Sequence, residues 1–230
     1  MQHESEKSIR PVRTFVVRGG RLTPSQQQAM ERLWPRYGLE AGMEVFDREN
    51  IFARQAPLVL EIGFGMGGSL VEMAKKNPDQ DFIGIDVHPP GIGTILKDID
   101  QQGLTNLKVM QGDAVTILEQ QFSDEGLDKI QIFFPDPWHK KRHHKRRMIQ
   151  DDFVALIGRK LVMGGILHLA TDWQNYAEQM MEVLSANGHY KNCAGTNQFA
   201  VNTGRPETKF ERRGQRLGHG VWDLVFEKVT

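Results

Sequence analysis

Residues 58–68, LVLEIGFGMGG, decide the fold. An apolar run rich in β-formers, 58–63, feeds a turn with glycines at 63, 65 and 68, and residues 68–76 then continue at helical spacing. Glycine admits positive φ and lets a ligand approach the backbone closely, so strand, G-x-G-x-x-G turn and helix in that order read as a nucleotide-binding unit. The pattern repeats outward. Strand-like runs occur at 81–86, 106–111, 129–134 and 165–171, separated by helix-length segments at 91–102, 114–121, 148–161 and 173–186. Such alternation predicts crossover connections and an α/β fold, a mostly parallel sheet with helices on both faces. Two further strands are expected at 189–193 and 221–229, joined by a long segment, 194–220, rich in Gly and Arg; a structureless stretch of that size is usually functional or disordered. Upstream, Thr23 and Pro24 suit the N-cap and first position of a helix.

Composition bounds the possibilities. The chain has 230 residues and 39% apolar content, enough for a core that needs no covalent staples. Lys and Arg together number 29, as do Asp and Glu, so a basic cluster is a local asymmetry, which is sufficient to bind nucleic acid. Cys193 is the single cysteine, which excludes a disulfide framework and a thiolate zinc site. No apolar run approaches membrane-spanning length and the first ten residues have no signal-peptide core, so a cytoplasmic protein without a membrane partner is expected. Residues 1–46 read as a basic N-terminal arm, partly disordered, with Arg10, Arg13, Arg18 and Arg21 available to order on RNA; residues 47–230 read as the α/β domain.

Acids at successive strand ends indicate the ligand. Glu61 precedes the first glycine, Asp86 ends the second strand of the alternation, and Asp113 follows the third. Asp86 suits the ribose hydroxyls, or else caps a helix. A carboxylate at Glu61, with no Lys or Arg in the glycine turn, repels a pyrophosphate but suits an ammonium and a sulfonium. Asp113 can accept from an adenine amino group. S-adenosylmethionine fits these acids better than NAD, which needs a pyrophosphate site free of carboxylates.

The fourth strand of this pattern ends in FFPDPWHKKRHHKRR, Phe133 to Arg147. Asp136 lies between Pro135 and Pro137, and proline stiffens the chain and cannot extend a sheet. Nine residues from His139 to Arg147 hold six Lys or Arg and three His, a run that neutralises phosphates or is merely a solvated charged loop. Trp138 either stacks on a base or anchors the corner. A metal amid these cations would be repelled and lacks ligands to complete a shell, so no metal is expected. Arg205, Lys209, Arg212, Arg213 and Arg216 form a second cluster that could extend the basic surface, with Phe210 either stacked on RNA or buried.

LEIGFGMGGSL, GIDVH, QGDA, FPDPWHKKRHHKRR, ATDW and TKFERRGQRLGHGVWDL, with the N-terminal RTFVVRGGRLTPSQQQAM, together resemble the bacterial tRNA (guanine-N7)-methyltransferases, in the same order and at matching spacing over nearly the whole chain. The resemblance implies a class I, Rossmann-like methyltransferase fold, a seven-stranded mostly parallel sheet with an antiparallel last strand. It implies methyl transfer from S-adenosylmethionine to N7 of a guanine in tRNA, that of the variable loop. It assigns Glu61, Asp86, Asp113 and Asp136 to the cofactor, with Asp136 also catalytic, beside Gly63 and Gly65, which the glycine turn itself presents to the cofactor. It assigns Lys140, Asp172, Thr208, Lys209, Phe210 and Glu211 to substrate, and Arg142, His143, His144, Lys145, Arg146 and Arg147 to RNA. His144 departs from the polar residue, often Asn, found there in the family. Guanine N7 carries a free lone pair, so alignment matters more than a general base. The guanine N1–H and exocyclic amine suit a carboxylate, and Asp136, Asp172 and Glu211 are all candidates. The alternative is a catalytically inactive tRNA-binding protein on the same scaffold. The oligomeric state, monomer or homodimer, is open.

Overall fold

The computed structural model describes residues 20–208, 211 and 220–230. In chain order the elements are α1 Pro24–Tyr37, β1 Gly38–Leu39, α2 Arg48–Phe52, β2 Leu58–Ile62, α3 Gly68–Lys76, β3 Asp81–Asp86, α4 Pro89–Gln102, β4 Leu107–Gln111, α5 Ala114–Gln121, β5 Leu127–Phe133, a 3₁₀ turn Lys141–Arg146, α6 Asp151–Lys160, β6 Leu161–Thr171, α7 Gln174–Ala186, β7 Tyr190–Asn192 and β8 Trp222–Lys228. The strands lie in the order β1-β4-β3-β2-β5-β6-β8-β7. From β1 to β6 all neighbours are parallel, while β8 runs antiparallel to both β6 and β7.

Period-two alternation explains the layering. Leu58, Leu60 and Ile62 of β2 join one core cluster with Ile117 and Leu118 of α5, Val154 and Ile157 of α6, and Met180 and Leu184 of α7. Val59, between them, faces the other cluster, with Leu70 and Ala74 of α3 and Ile95, Leu96 and Ile99 of α4. Both faces of the central strands are therefore apolar, as expected of a parallel sheet. Each fully buried aliphatic side chain contributes about 1.5–3 kcal/mol.

Seven strands are implied by the resemblance, and the sheet described here has an eighth, β1. Helix α1 starts at the expected place: Thr23 caps it in a reciprocal capping box with Gln26, and Pro24 is its first residue. Gln26 also donates to the Pro90 carbonyl and to Thr94, which fixes α1 on α4. The helix ends at Gly38, where a Cβ would lie 2.2 Å from the Trp34 indole. Without that Cβ the chain passes beside Trp34, and Gly38 and Leu39 fill the open edge of β4. Two residues carry no periodic signal, so the sequence does not reveal this strand.

The chain runs from β2 outward to β3 and β4, then returns to place β5 on the other side of β2. The strand order reverses there, and ligands in open α/β sheets bind beyond the carboxyl ends of strands at such a point. The glycine turn follows β2 and the Pro-Asp-Pro-Trp corner follows β5, so both sequence motifs meet at the reversal.

Candidate active site

The glycine turn is built by hydrogen bonds from both flanks. Gly63 N–H donates to the Ile85 carbonyl at 2.8 Å, and Gly65 N–H to Asp86 Oδ2 at 2.7 Å. Gly63 and Gly65 have φ of +77° and +61°, and the space above each Cα is open. The left-handed backbone at these two positions is what glycine permits at least cost. The open space is a cradle that a side chain would fill. The sequence pattern places its third glycine at Gly68, but Gly67 is the constrained one. It has φ of +81° and caps α3, and its Cβ would strike Ile95 at 2.6 Å.

Asp86 holds both sides of this cradle. Its Oδ1 accepts from His88 N–H at 2.8 Å, at the start of α4, while Oδ2 holds Gly65. Burial raises its pKa, opposed by the donors from Gly65 and His88. Asp113 caps α5 through Val115 N–H. Glu61 is 3% exposed, and its Oε2 accepts from Gln131 Nε2 at 2.7 Å across the β2–β5 pairing. Desolvation pushes the Glu61 carboxyl up to about 7; Gln131 and Lys129 oppose this and Asp86 adds to it. Gln131 Oε1, beside it, is buried without a partner. A buried acid that titrates near neutrality beneath an open glycine cradle is poised to charge when a cation arrives.

The corner after β5 is strained on both sides of the acid. Phe134 and Trp138 have φ of +54° and +47°, a region costly for bulky residues, and they bracket Pro135–Asp136–Pro137. Phe134 N–H still donates to the Ala170 carbonyl at 2.8 Å, so the strain begins where sheet pairing ends. Asp136 is exposed, and no described residue donates a hydrogen bond to it. Trp138 packs edge-on to His143 and lies under the Arg146 guanidinium, 5.0 Å from the ring centroid. His139 packs on Trp173 at 4.2 Å, bringing the corner against the segment that contains Asp172. Asp172 itself is half-buried just past the end of β6.

Sequence comparison places this arrangement. The family model described as "putative methyltransferase" matches residues 55–224. The tRNA (guanine-N(7)-)-methyltransferase of Alcanivorax borkumensis is 58% identical over 98% of this chain and 95% of its own length. That of Pseudoalteromonas atlantica is 54% identical over 99% and 95%. The chain belongs to the tRNA (guanine-N7)-methyltransferase family. Among solved structures, the 16S rRNA methyltransferase KamB superposes with a TM-score of 0.59 at 15% identity, covering 79% of this chain and 92% of that one. The antibiotic-resistance methyltransferase Kmr gives 0.55 at 13%, covering 80% and 92%. These likenesses show the fold.

The RNA-facing residues expected of this family divide in two. Lys140, Arg142, Lys145 and Arg146 are exposed on or beside the 3₁₀ turn, and His143 and His144 are half-buried. Desolvation, then the cations Arg142 and Arg146, lowers the His143 pKa and favours the neutral ring. Arg147 departs from the expectation. It is 1% exposed, donating from Nε to the Pro137 carbonyl at 2.9 Å and from its two Nη atoms to Gln179 and Asn175 of α7, with its guanidinium over the Tyr176 ring. Each of its three nitrogens meets a protein acceptor, and the chain re-enters the core at Ile149, two residues on. Arg147 is thus a structural pin and is not available to a phosphate.

Arg205 departs likewise from the expected basic surface. Its side chain is 5% exposed, packed over Phe133 and Phe134 and paired with Asp223 and Glu211. Thr208 and Glu211 form a reciprocal pair: Glu211 N–H donates to Thr208 Oγ1 at 3.1 Å and Thr208 N–H to Glu211 Oε2 at 3.3 Å. That is the capping-box pattern, and its T-x-x-E signal is visible in the sequence. His168 and Asp223, joined at 2.8 Å in the sheet below, are the residues that sequence reasoning missed; a lone His and Asp in separate strands give no local signal. Lys209, Phe210, Arg212, Arg213 and Arg216, with Arg10, Arg13, Arg18 and the disorder expected at the N-terminus, lie outside the described residues.

Proposed function

We propose that this site transfers a methyl group from S-adenosylmethionine to N7 of a guanine in tRNA, leaving 7-methylguanosine, with the variable-loop guanine as the target. The observation that carries the reading is the position of Asp136. It is an exposed carboxylate on a strained corner at the strand-order reversal, with an acid-lined glycine cradle on one side and exposed cations on the other.

The residues present suit this cofactor. The open cradle at Gly63 and Gly65, the buried Glu61 carboxyl and the absence of Lys or Arg from the turn suit a ligand with an ammonium and no phosphates. Glu61, Gly63, Gly65, Asp86, Asp113 and Asp136 would hold it. When bound it supplies an electrophilic methyl group. The protein's remaining work is to align and to exclude water, since N7 needs no base to make it nucleophilic. Asp136 and Asp172, carboxylates without a donor among the described residues, can accept from guanine N1–H and its exocyclic amine, and a fixed negative charge stabilises the purine as it becomes cationic. Lys140, Arg142, Lys145 and Arg146 neutralise phosphates and set the RNA in place without reading its sequence.

Labelled methyl cofactor incubated with bulk tRNA, followed by complete nucleoside digestion, tests this. The label is expected in 7-methylguanosine alone. A folded protein that binds tRNA and incorporates no label would be the inactive scaffold, and label in another nucleoside would remove the N7 assignment.

A further inference from the structure

Arg205 has an environment that no phosphate contact explains. Its Nε donates to Asp223 Oδ1 at 2.7 Å and Nη2 to Asp223 Oδ2 at 2.9 Å; Nη2 also donates to Glu211 Oε1 at 3.0 Å, and Nη1 to Glu211 Oε2. Both oxygens of both carboxylates therefore face one buried guanidinium. Its flat face lies 5.5 Å from the Phe133 centroid and 5.4 Å from that of Phe134. Phe133, Ala170 and Asp223 are cross-strand partners in β5, β6 and β8, so Arg205 closes one row of the sheet at its carboxyl end. Asp223 is secured from below by His168 at 2.8 Å and from the side by Thr203. Two residues beyond Phe134 stands Asp136.

We propose that Arg205 is a positioning residue for the methylation reaction, clamping the segment that ends at Glu211 against the ends of β5 and β8, and that Glu211 acts through this clamp and not by reading the guanine edge. The inference rests on the function proposed above. A carboxylate held on both oxygens by a bidentate guanidinium has given up its best acceptor directions. Removing the guanidinium leaves two carboxylates close together in a buried site, and their repulsion drives the segment away. Lysine cannot replace it, because a point charge cannot span two carboxylates in fixed planes. The base edge is then left to Asp136 and Asp172.

The test is a double-mutant cycle of Arg205→Gln, Glu211→Gln and the double variant in the full chain. It reads kcat, KM for tRNA, the Kd of the demethylated cofactor, and the urea midpoint. Each single variant is expected to lower kcat about tenfold or more with cofactor Kd unchanged, and the double to be no slower than the worse single, a strong coupling for groups in contact. The urea midpoints should show the same non-additivity. Arg205→Lys should recover little of the lost kcat; it also replaces Arg205→Gln in the cycle if that variant does not fold. Losses in kcat that multiply in the double variant would show Glu211 acting on RNA independently, and overturn the clamp. If wild type transfers no methyl group, the functional reading fails, while the urea arm still decides whether Arg205 and Glu211 are coupled.

Discussion

Arg147 donates its Nε–H to the Pro137 carbonyl at 2.9 Å, so the last cation of the basic run holds the corner on which Asp136 stands. Its two Nη atoms reach α7, which begins two residues after Asp172, and thereby tie the two carboxylate-bearing segments together. A run of like charge thus contains two kinds of residue, five cations turned to solvent and one turned into the protein.

This division predicts opposite phenotypes for neighbours. Replacing Arg142 and Arg146 by Gln should leave the folded state intact and reduce the slope of log affinity for tRNA against log salt by about 0.7–0.9 per residue. Arg147→Ala should leave that slope unchanged while costing about 1–3 kcal/mol of stability, since it removes a buried side chain that packs over Tyr176 and ties Pro137 to Asn175 and Gln179. Filter-binding across a salt series, with urea melts of each variant, checks both; a flattened slope in Arg147→Ala would return that residue to the RNA surface.

Glu61 predicts a pH dependence with a definite sign. Its carboxyl is raised from 4.5 to about 7 in the folded state, chiefly by desolvation. Between those values the folded protein keeps a proton that the unfolded chain has released, so stability falls as pH rises through the interval, by about 3 kcal/mol in total. Glu61→Gln mimics the protonated form. It should raise the Tm of the cofactor-free protein by several degrees at pH 8 and by little at pH 5, while abolishing cofactor binding at both. In wild type, cofactor affinity should weaken as pH drops below about 7, because the site must ionise. Equal Tm values for the two proteins at pH 8 would contradict the assignment.

Gly65 combines a left-handed backbone with open space above it. Gly65→Ala should cost only about 1–2 kcal/mol of stability, the penalty of a side chain in that region. It should weaken the cofactor far more, since the added methyl occupies the cradle. Calorimetric titration with the demethylated cofactor, paired with thermal melts, separates the two effects. An unchanged Kd would mean the ligand approaches elsewhere.

The strand ends were legible in the sequence because each is marked twice, by an apolar run that stops and by an acid or glycine where it stops. Helix α3 falls at 68–76 and β3 at 81–86 as the pattern predicts, since buried parallel strands and amphipathic helices have strong periods. Helix α6 begins at Asp151, later than 148, because Met148 to Gln150 lead the chain out of the Arg147 pin before the helix starts. The fates of Arg147 and Arg205 were not legible. Composition records a positive charge but not its direction. Both residues are turned inward by partners 28 to 32 or 18 positions away, at Asn175, Gln179 and Asp223. Local spacing carries no trace of such pairs, whereas the T-x-x-E pair at 208–211 lies within reach of a local rule.

The central claim is that affinity comes from the exposed cations and chemistry from the corner. It is tested most directly by single-turnover methyl transfer and tRNA binding measured side by side for Asp136→Asn. The substitution keeps the shape of the corner and removes its charge. The expected result is a loss of about 10²–10³ in rate, the scale of deleting one transition-state stabiliser, with tRNA Kd within about twofold of wild type. A variant that retains wild-type turnover, or one that loses tRNA binding as steeply as turnover, would contradict the account.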